Sequence, residues 1–235
     1  MQYQKKLRVG ILAGLLLLLW FASRTETVPA PMPHPTPTPV AVDFSTTENQ
    51  EPLLLVNLWN PIPEDYGVTL RPLENGQSVS ALCYDALMQM LSDCTAAGHK
   101  AEVCSGYRNI ALQTQLYEDK VSRVMQEGHS RREAERIAAM EVARAGTSEH
   151  HTGLAVDLVD AEYGTLDETQ AQMPAQQWLM ANCSRYGFIL RYPEGTSEIT
   201  GIIYEPWHYR YVGVEAAERI YAEGLCLEEY LNQYQ

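Results

Sequence analysis

The sequence SEHHTGLAVD at residues 148–157 contains two neighbouring histidines followed by the pattern of a β-strand. Apolar residues at alternate positions from Leu154 to Leu158 leave Asp157 on the opposite face, and a period of two is typical of strands. Seven residues of straight strand would place His150 and Asp157 on opposite faces, so we expect His150 to lie on a turn before the strand. Gly153 permits that turn because glycine adopts positive φ without a steric penalty.

A second polar motif, EPWH at residues 205–208, follows much later in the chain. Catalytic zinc sites use three imidazole or carboxylate ligands and leave a fourth position for water. His150, Asp157 and His208 would supply those three ligands. Glu205 precedes His208 by three residues, so it can lie beside the metal and take a proton from the water. The two motifs therefore predict a catalytic zinc site with Glu205 as the general base.

These motifs, together with SGYRN at residues 105–109, resemble the D-alanyl-D-alanine carboxypeptidases of the VanY type, in the LAS superfamily of zinc peptidases. The resemblance covers roughly residues 53–213 and extends to EPWHYRYVG at the second motif. It implies an α+β domain with one Zn²⁺ ion, with Glu205 as the catalytic base and three metal ligands. These ligands are His150, Asp157 and His208.

The resemblance also implies residues that contact the substrate. Arg108 matches the arginine that holds the substrate and stabilises the polarised carbonyl, and an arginine suits a carboxylate or an oxyanion. Gln113, five residues later, and Ser148, at the start of the histidine motif, match two further substrate contacts. We therefore expect Arg108, Gln113 and Ser148 to line the substrate site.

Two features of the histidine region differ from the family pattern. His151 stands where a glutamine is usual, and residues 143–147 differ from the usual approach, which contains a proline. Adjacent histidines could exchange as ligands, so His151 is an alternative to His150. Only His150 keeps the family's spacing of seven residues to Asp157, and we expect it to be the ligand.

The N-terminus has the composition of a membrane-targeting segment, with three basic residues before an uncharged run at residues 9–23. Such a helix spans about 22 Å against a hydrocarbon core of about 30 Å, which favours a signal peptide. Bulky Trp20 and Phe21 near the possible cleavage sites favour an uncleaved anchor. We expect residues 1–24 to be a signal anchor in a single-pass membrane protein with an extracytoplasmic domain, or a signal peptide of a secreted one.

Composition divides the remaining chain into a spacer and one domain. Proline occupies nearly every second position from Val28 to Pro39, so residues 25–51 are expected to be a disordered, proline-rich spacer. Residues 52–235 are long enough for a single hydrophobic core, and we expect a monomer. All 30 acidic residues but only 13 of the 17 basic residues follow Arg24, which argues against nucleic-acid binding.

The pattern of apolar residues, caps and glycines predicts a small antiparallel sheet flanked by helices. The predicted helices run through Tyr84–Leu91 to Gly98, from Ala111 to Gln126, from Ser130 to before Gly146, through Trp178–Tyr186 to Gly187, and from Leu227 to Tyr234. The predicted strands are residues 101–105, 153–159 and 202–211. Five cysteines without a CxxC motif suggest one disulfide in an oxidising compartment.

The resemblance implies an enzyme that removes the C-terminal D-alanine of peptidoglycan stem peptides or their precursors. An L,D-carboxypeptidase that acts on tetrapeptides has nearly the same motifs and stays open. A third hypothesis is a zinc-containing module that binds the cell wall without hydrolysis, although the presence of Glu205 argues against it.

Overall fold

The structure, a computed structural model, describes residues 51–234. The strands are β1 (Leu70–Pro72), β2 (Ser78–Ser80), β3 (Ala101–Ser105), β4 (Ala155–Asp160), β5 (Phe188–Leu190) and β6 (His208–Tyr211). The helices are α1 (Ala81–Ala96), α2 (Ile110–Gln126), α3 (Arg131–Ala138), α4 (Pro174–Asn182), α5 (Ser197–Thr200), α6 (Val214–Glu223) and α7 (Leu227–Tyr234). The expected signal segment and nearly all of the expected spacer lie outside the described residues.

The described residues form an α+β fold with small antiparallel sheets, as the sequence predicted. Strands β1 and β2 make a hairpin, and the other strands form an antiparallel sheet in the order β3-β4-β6-β5. Within residues 51–234, no helix is long and apolar enough to cross a membrane.

The four-stranded sheet packs one face against α1 and α4. Val156 of β4 and Tyr209 of β6 lie in the main core with Leu87 of α1 and Leu179 of α4. Strand β4 is buried along its whole length. Because side chains alternate across a strand, the neighbours of these core residues point to the second face of the sheet. That second face therefore presents buried polar side chains.

Several predicted elements are confirmed, because their local signals act as expected. Helix α1 ends before Gly98, which has a φ of 90°. The side chain of Ser130 accepts a hydrogen bond from Glu133 N at the start of α3, as its capping sequence indicates. Strand β3 and helices α2 and α7 also occupy the predicted residues, within one residue at each end.

The strand predicted at residues 202–211 is wrong for its first half, because only His208–Tyr211 pairs in the sheet. Ile203 N donates to Met140 O and Glu205 N donates to Tyr192 O, so these two residues bond to loops instead of a strand. Tertiary hydrogen bonds, which a strand pattern does not report, thus divide this segment.

The helix predicted from Ser130 to before Gly146 is also shorter, since α3 ends at Ala138. Two carbonyl groups beyond it bond outside any helix: Met140 O accepts from Ile203 N, and Ala143 O accepts from the side chain of Gln113. These bonds shape residues 139–146 as turns that lead into the histidine motif.

The sequence patterns did not indicate β1, β2, β5, α5 or α6. The three strands have three residues each, which is too short for a period of two to be recognised. The expected disulfide is also wrong: all five cysteines lie within the described residues, and each is a free thiol.

Candidate metal centre and active site

Strand register brings Asp157 beside His208. The two residues are direct partners across the antiparallel pair of β4 and β6. Asp157 is also the partner of Ser105 at the end of β3. The sheet thus places the first motif, the second motif and the start of the SGYRN segment at one point.

His150 reaches the same point from a short 3-10 helix at Glu149–Thr152. This turn ends at Gly153, whose φ of 70° lies in the left-handed region that favours glycine. A Cβ atom on Gly153 would lie 2.9 Å from Ser80 N, so the turn also needs a residue without a side chain. The sequence prediction that His150 lies on a turn before the strand is therefore confirmed.

Three side chains converge on a position that suits a metal ion. His150 Nε2 lies 3.3 Å from Asp157 Oδ2, and His208 Nδ1 lies 2.9 Å from Asp157 Oδ1. The ligand atoms of the three residues all lie within 4.8 Å of one another, and all three residues are buried. A tetrahedral zinc ion with bonds of about 2.1 Å needs ligand atoms about 3.4 Å apart. The two distances to Asp157 oxygens, 3.3 Å and 2.9 Å, are close to that value.

The other nitrogen of His150 fixes which atom faces the site. Nδ1 donates a hydrogen bond to Gly106 O at 2.7 Å, so Nε2 keeps its lone pair towards Asp157. Gly106 is a glycine for a physical reason, because a Cβ there would lie 2.3 Å from Ser78 O. The hairpin that contains Ser78 thereby supports the metal site.

The two histidines of the centre differ in their pKa values. Burial, together with Arg108, lowers the pKa of His150 to about 4, so this ring is neutral and able to coordinate. Burial opposes ionisation of Asp157, but His150 and Arg108 outweigh it and hold the pKa of Asp157 well below its usual range. His208 is also buried, yet its carboxylate neighbours raise its pKa to about 9. Asp157 is therefore ionised beside a neutral His150, and the nearby carboxylates stabilise positive charge at His208.

Glu205 lies next to this centre without joining the cluster of ligand atoms. Its Oε2 is 3.8 Å from His208 Nδ1. Burial raises the pKa of Glu205 to about 8, and a carboxyl group with such a pKa suits proton transfer near neutral pH. The carbonyl of Glu205 accepts a hydrogen bond from His208 N at 3.1 Å, so the backbone fixes both residues together.

Arg108 extends from the end of β3 to the same centre. Its Nη2 donates to Asp157 Oδ2, and its Nε donates to Ser105 Oγ at 2.8 Å. Its Nη1 contacts Gln113 Oε1 at 3.4 Å, and Gln113 Nε2 donates to Ala143 O. Gln113 is almost fully buried, at 1% exposure, so in this structure it contacts Arg108 and the loop rather than solvent.

Ser148 occupies the cap position before the 3-10 helix and is buried. Its carbonyl accepts a hydrogen bond from His151 N at 3.2 Å. The structure thus brings Arg108 and Glu205 beside the three candidate ligands, while Gln113 lies behind Arg108 and Ser148 precedes the histidine turn.

Comparison with known proteins identifies the family. The sequence model described as VanY, D-alanyl-D-alanine carboxypeptidase, matches residues 76–214. The chain belongs to the VanY family.

This VanY-family chain is similar to known proteins in both sequence and structure. A D-alanyl-D-alanine carboxypeptidase of Enterococcus faecalis is 44% identical over 186 residues, which are 79% of this chain and 67% of that protein. A mutant of the vancomycin-resistance D,D-pentapeptidase VanY in complex with Zn(II) has a TM-score of 0.72 and 43% identity, covering 77% of this chain and 98% of that chain.

Two further solved structures are informative about the class of substrate. VanYB in complex with D-alanine-D-alanine has a TM-score of 0.73 and 43% identity, covering 78% of this chain and 98% of that chain. The L,D-carboxypeptidase LdcB has a TM-score of 0.66 and 33% identity, covering 77% of this chain and 86% of that chain. The fold is therefore shared by both classes of carboxypeptidase.

The residue that departs from the family pattern, His151, has both ring nitrogens engaged elsewhere. Its Nδ1 donates to Arg108 O at 2.7 Å, and its Nε2 accepts from Gly146 N at 3.0 Å. A neutral imidazole with these two bonds has no lone pair left for a metal. A glutamine amide offers one donor and one acceptor group, so the glutamine usual in the family could make the same pair of bonds.

A buried group of charges, which the sequence patterns did not indicate, lies behind the metal position. We call it the ion cluster, and its members are Glu149, Arg191, Arg210 and Glu228. The sequence patterns also did not indicate Tyr192, whose ring centroid lies 4.8 Å from that of His208. A charged residue directly after an apolar strand, such as Arg191 after β5, is the signal that could have indicated the cluster.

Proposed function

We propose that this chain is a zinc-dependent D,D-carboxypeptidase that removes the C-terminal D-alanine from peptidoglycan stem peptides or their precursors. Membership of the VanY family makes the chain a metallo-carboxypeptidase. The observation that carries the proposal is the convergence of three buried ligand groups beside a buried glutamate. These are His150, Asp157 and His208 with Glu205.

The donor set fits zinc, because neutral imidazole and carboxylate are the ligands that catalytic zinc sites use. When bound there, zinc would polarise the scissile carbonyl and increase the acidity of a water molecule. The VanY relative in complex with Zn(II) supports zinc as the metal.

The residues of the chain supply proton transfer and substrate binding. Glu205 takes a proton from the attacking water and later transfers it to the amine of the leaving D-alanine, which balances the hydrolysis. Arg108 offers a guanidinium beside the centre for the substrate carboxylate or for the oxygen of the polarised carbonyl. Gln113 supports this step indirectly, because its side-chain oxygen contacts the guanidinium of Arg108 and helps to hold it in place.

An L,D-carboxypeptidase that acts on tetrapeptides is the second candidate. The similarity to LdcB favours it, since that protein shares the fold at 33% identity. A non-hydrolytic wall-binding module is less favoured, because the buried Glu205 lies where hydrolysis needs a base.

We also propose that residues 1–24 attach the chain to the cell membrane and that residues 25–51 act as a spacer. The domain from residue 52 would then face the extracytoplasmic side, or be secreted after cleavage. The basic residues before the apolar run and the acidic chain after it support this orientation.

The test is mass spectrometry of stem peptides incubated with the zinc-loaded protein. A pentapeptide ending in D-Ala-D-Ala is compared with a tetrapeptide ending in one D-alanine. Loss of one D-alanine from the pentapeptide alone is the expected result. Cleavage of the tetrapeptide alone would establish the L,D class, and cleavage of neither peptide would favour the binding module.

A further inference from the structure

Two buried carboxylates lie on either side of Arg191. Its Nε donates to Glu149 Oε1 at 2.8 Å, while Nη1 and Nη2 donate to Glu228 at 2.9 Å and 2.7 Å. The side chains of Glu149 and Arg191 are 0% exposed, and that of Glu228 is 9% exposed. Glu149 and Glu228 therefore share one arginine and nearly the same burial.

The two carboxylates differ in where their oxygens point. Both oxygens of Glu228 accept hydrogen bonds from Arg191. In Glu149, Oε1 alone accepts hydrogen bonds from the arginines: one from Arg191 Nε and one from Arg210 Nη1, the second at 2.8 Å. Its Oε2 instead faces His208 Nε2 at 3.7 Å. Of these two carboxylates, only that of Glu149 has an oxygen that faces His208 of the metal centre.

Neither of these two facing atoms has a hydrogen-bond partner within the described part of the chain. Glu149 Oε2 and His208 Nε2 are the buried side-chain polar atoms of residues 51–234 that lack a hydrogen-bond partner. A separation of 3.7 Å is longer than a hydrogen bond, and a small shift of either side chain would close it. A buried polar atom without a hydrogen-bond partner costs free energy, so a hydrogen bond between these two atoms would stabilise the protein.

Contact with Glu149 would decide the tautomer of His208. An ionised carboxylate accepts only, so His208 Nε2 must carry the proton that it donates. The lone pair is then on Nδ1, the atom that lies 2.9 Å from Asp157 Oδ1. A histidine ligand whose second nitrogen donates to a carboxylate is fixed in its orientation and is a stronger base towards a metal.

Stability alone gives a weak reason for the ion cluster. Removing two charges from water is expensive, and apolar residues of similar volume often serve a core as well or better. The cluster also fixes Glu149 through two arginines rather than one, and Arg210 is itself held by Pro52 O and Leu54 O at 2.9 Å and 2.8 Å. This support restricts the position of one carboxylate oxygen next to His208.

We propose that Glu149 is a positioning residue that holds His208 in its Nε2–H tautomer, with Nδ1 towards the metal, and that Arg191 and Arg210 keep Glu149 in place. This inference rests on the proposed zinc site of His150, Asp157 and His208. It assigns no contact with the substrate to Glu149.

The chain offers a matched pair of variants, Glu149→Gln and Glu228→Gln. Each removes one buried negative charge from Arg191, so both are expected to lower thermal stability. The measurement is zinc affinity of the full chain in detergent, by competition with a chromogenic chelator. We expect Glu149→Gln to bind zinc about 10–100-fold more weakly, the range for loss of a carboxylate behind a histidine ligand. Glu228→Gln should keep the affinity of the unmodified chain.

The two variants also separate this inference from the zinc site itself. If His208→Ala still binds zinc with the original affinity, the proposed metal site fails. If the unmodified chain binds zinc and cleaves the pentapeptide, but Glu149→Gln binds zinc equally well, only the positioning role fails. Equal weakening by Glu149→Gln and Glu228→Gln would also overturn it, because the effect would then belong to any charge in the cluster.

A measurement on the unmodified chain covers the case in which Glu149→Gln does not fold. In the zinc-loaded protein with ¹⁵N-labelled histidine, long-range proton–nitrogen spectra report the tautomer of each ring. We expect His208, identified by comparison with His208→Ala, to carry its proton on Nε2. A proton on Nδ1 of His208 would contradict the proposal.

Discussion

The metal centre and the ion cluster lie on the same buried face of the sheet, but they arise from the chain in different ways. The three metal ligands come from one turn and two paired strands, with His150 and Asp157 in a single motif. The ion cluster joins four residues from the histidine turn, the end of β5, β6 and α7. A motif can specify the first region, whereas the second needs the completed fold.

Loss of a metal ligand should have the largest effect. Asp157→Asn removes a charged ligand from the centre, so we expect zinc binding and peptide cleavage to be abolished. Metal content after dialysis measures this directly. Asp160→Asn is the matched control, since Asp160 is a buried aspartate of the same strand whose oxygens accept from Glu162 N and Ala175 N. Release of zinc by both variants would show that the loss comes from the strand and not from the ligand.

Glu205→Gln should affect catalysis while leaving the metal in place. The amide cannot accept the proton of the water, so kcat should fall about 10²–10⁴-fold. Zinc content should stay stoichiometric because Glu205 is not among the ligand atoms. Steady-state cleavage of the pentapeptide measures the effect, and Glu194→Gln, an exposed position, is the control. An unchanged kcat in Glu205→Gln would show that Glu205 is not the catalytic base.

Arg191→Met should act on folding stability. It leaves Glu149 and Glu228 without their shared arginine, and breaking a buried ion pair costs about 3–5 kcal/mol. Denaturant unfolding of the zinc-free protein measures the loss. Arg131→Met is the control, because Arg131 makes exposed ion pairs with Glu118 and Glu135, and its free energy of unfolding should change little. Similar losses in both variants would show that burial of the cluster is not what matters.

His151→Ala should have the smallest of these effects. It removes the bonds to Arg108 O and Gly146 N, at a cost of about 1–2 kcal/mol in unfolding free energy. His151→Gln should restore most of that stability, since its amide can donate and accept at the same places. Thermal unfolding compares the two variants. Zinc affinity should survive in both, and its loss in His151→Gln would restore His151 as a candidate ligand.

The sequence was informative where a function depends on neighbours along the chain. The turn at His150, the strand through Asp157 and the ends of α1 and α2 follow from local patterns and caps. The sequence was misleading at residues 202–211, where Ile203 and Glu205 bond to distant loops. Strands of three residues and the end of α3 at Ala138 were also not recognisable from local preference.

The sequence by itself predicted the types of ligand, their spacing and a base, because each lies in a short motif of residue types that suit a zinc site. Only the tertiary structure decided which ring nitrogens of His150 and His208 face Asp157. That choice depends on Gly106 O behind His150 and on Glu149 beside His208, with two arginines holding Glu149. These partners come together only when the sheet and the C-terminal helix have packed, and no pattern along the chain encodes their distances.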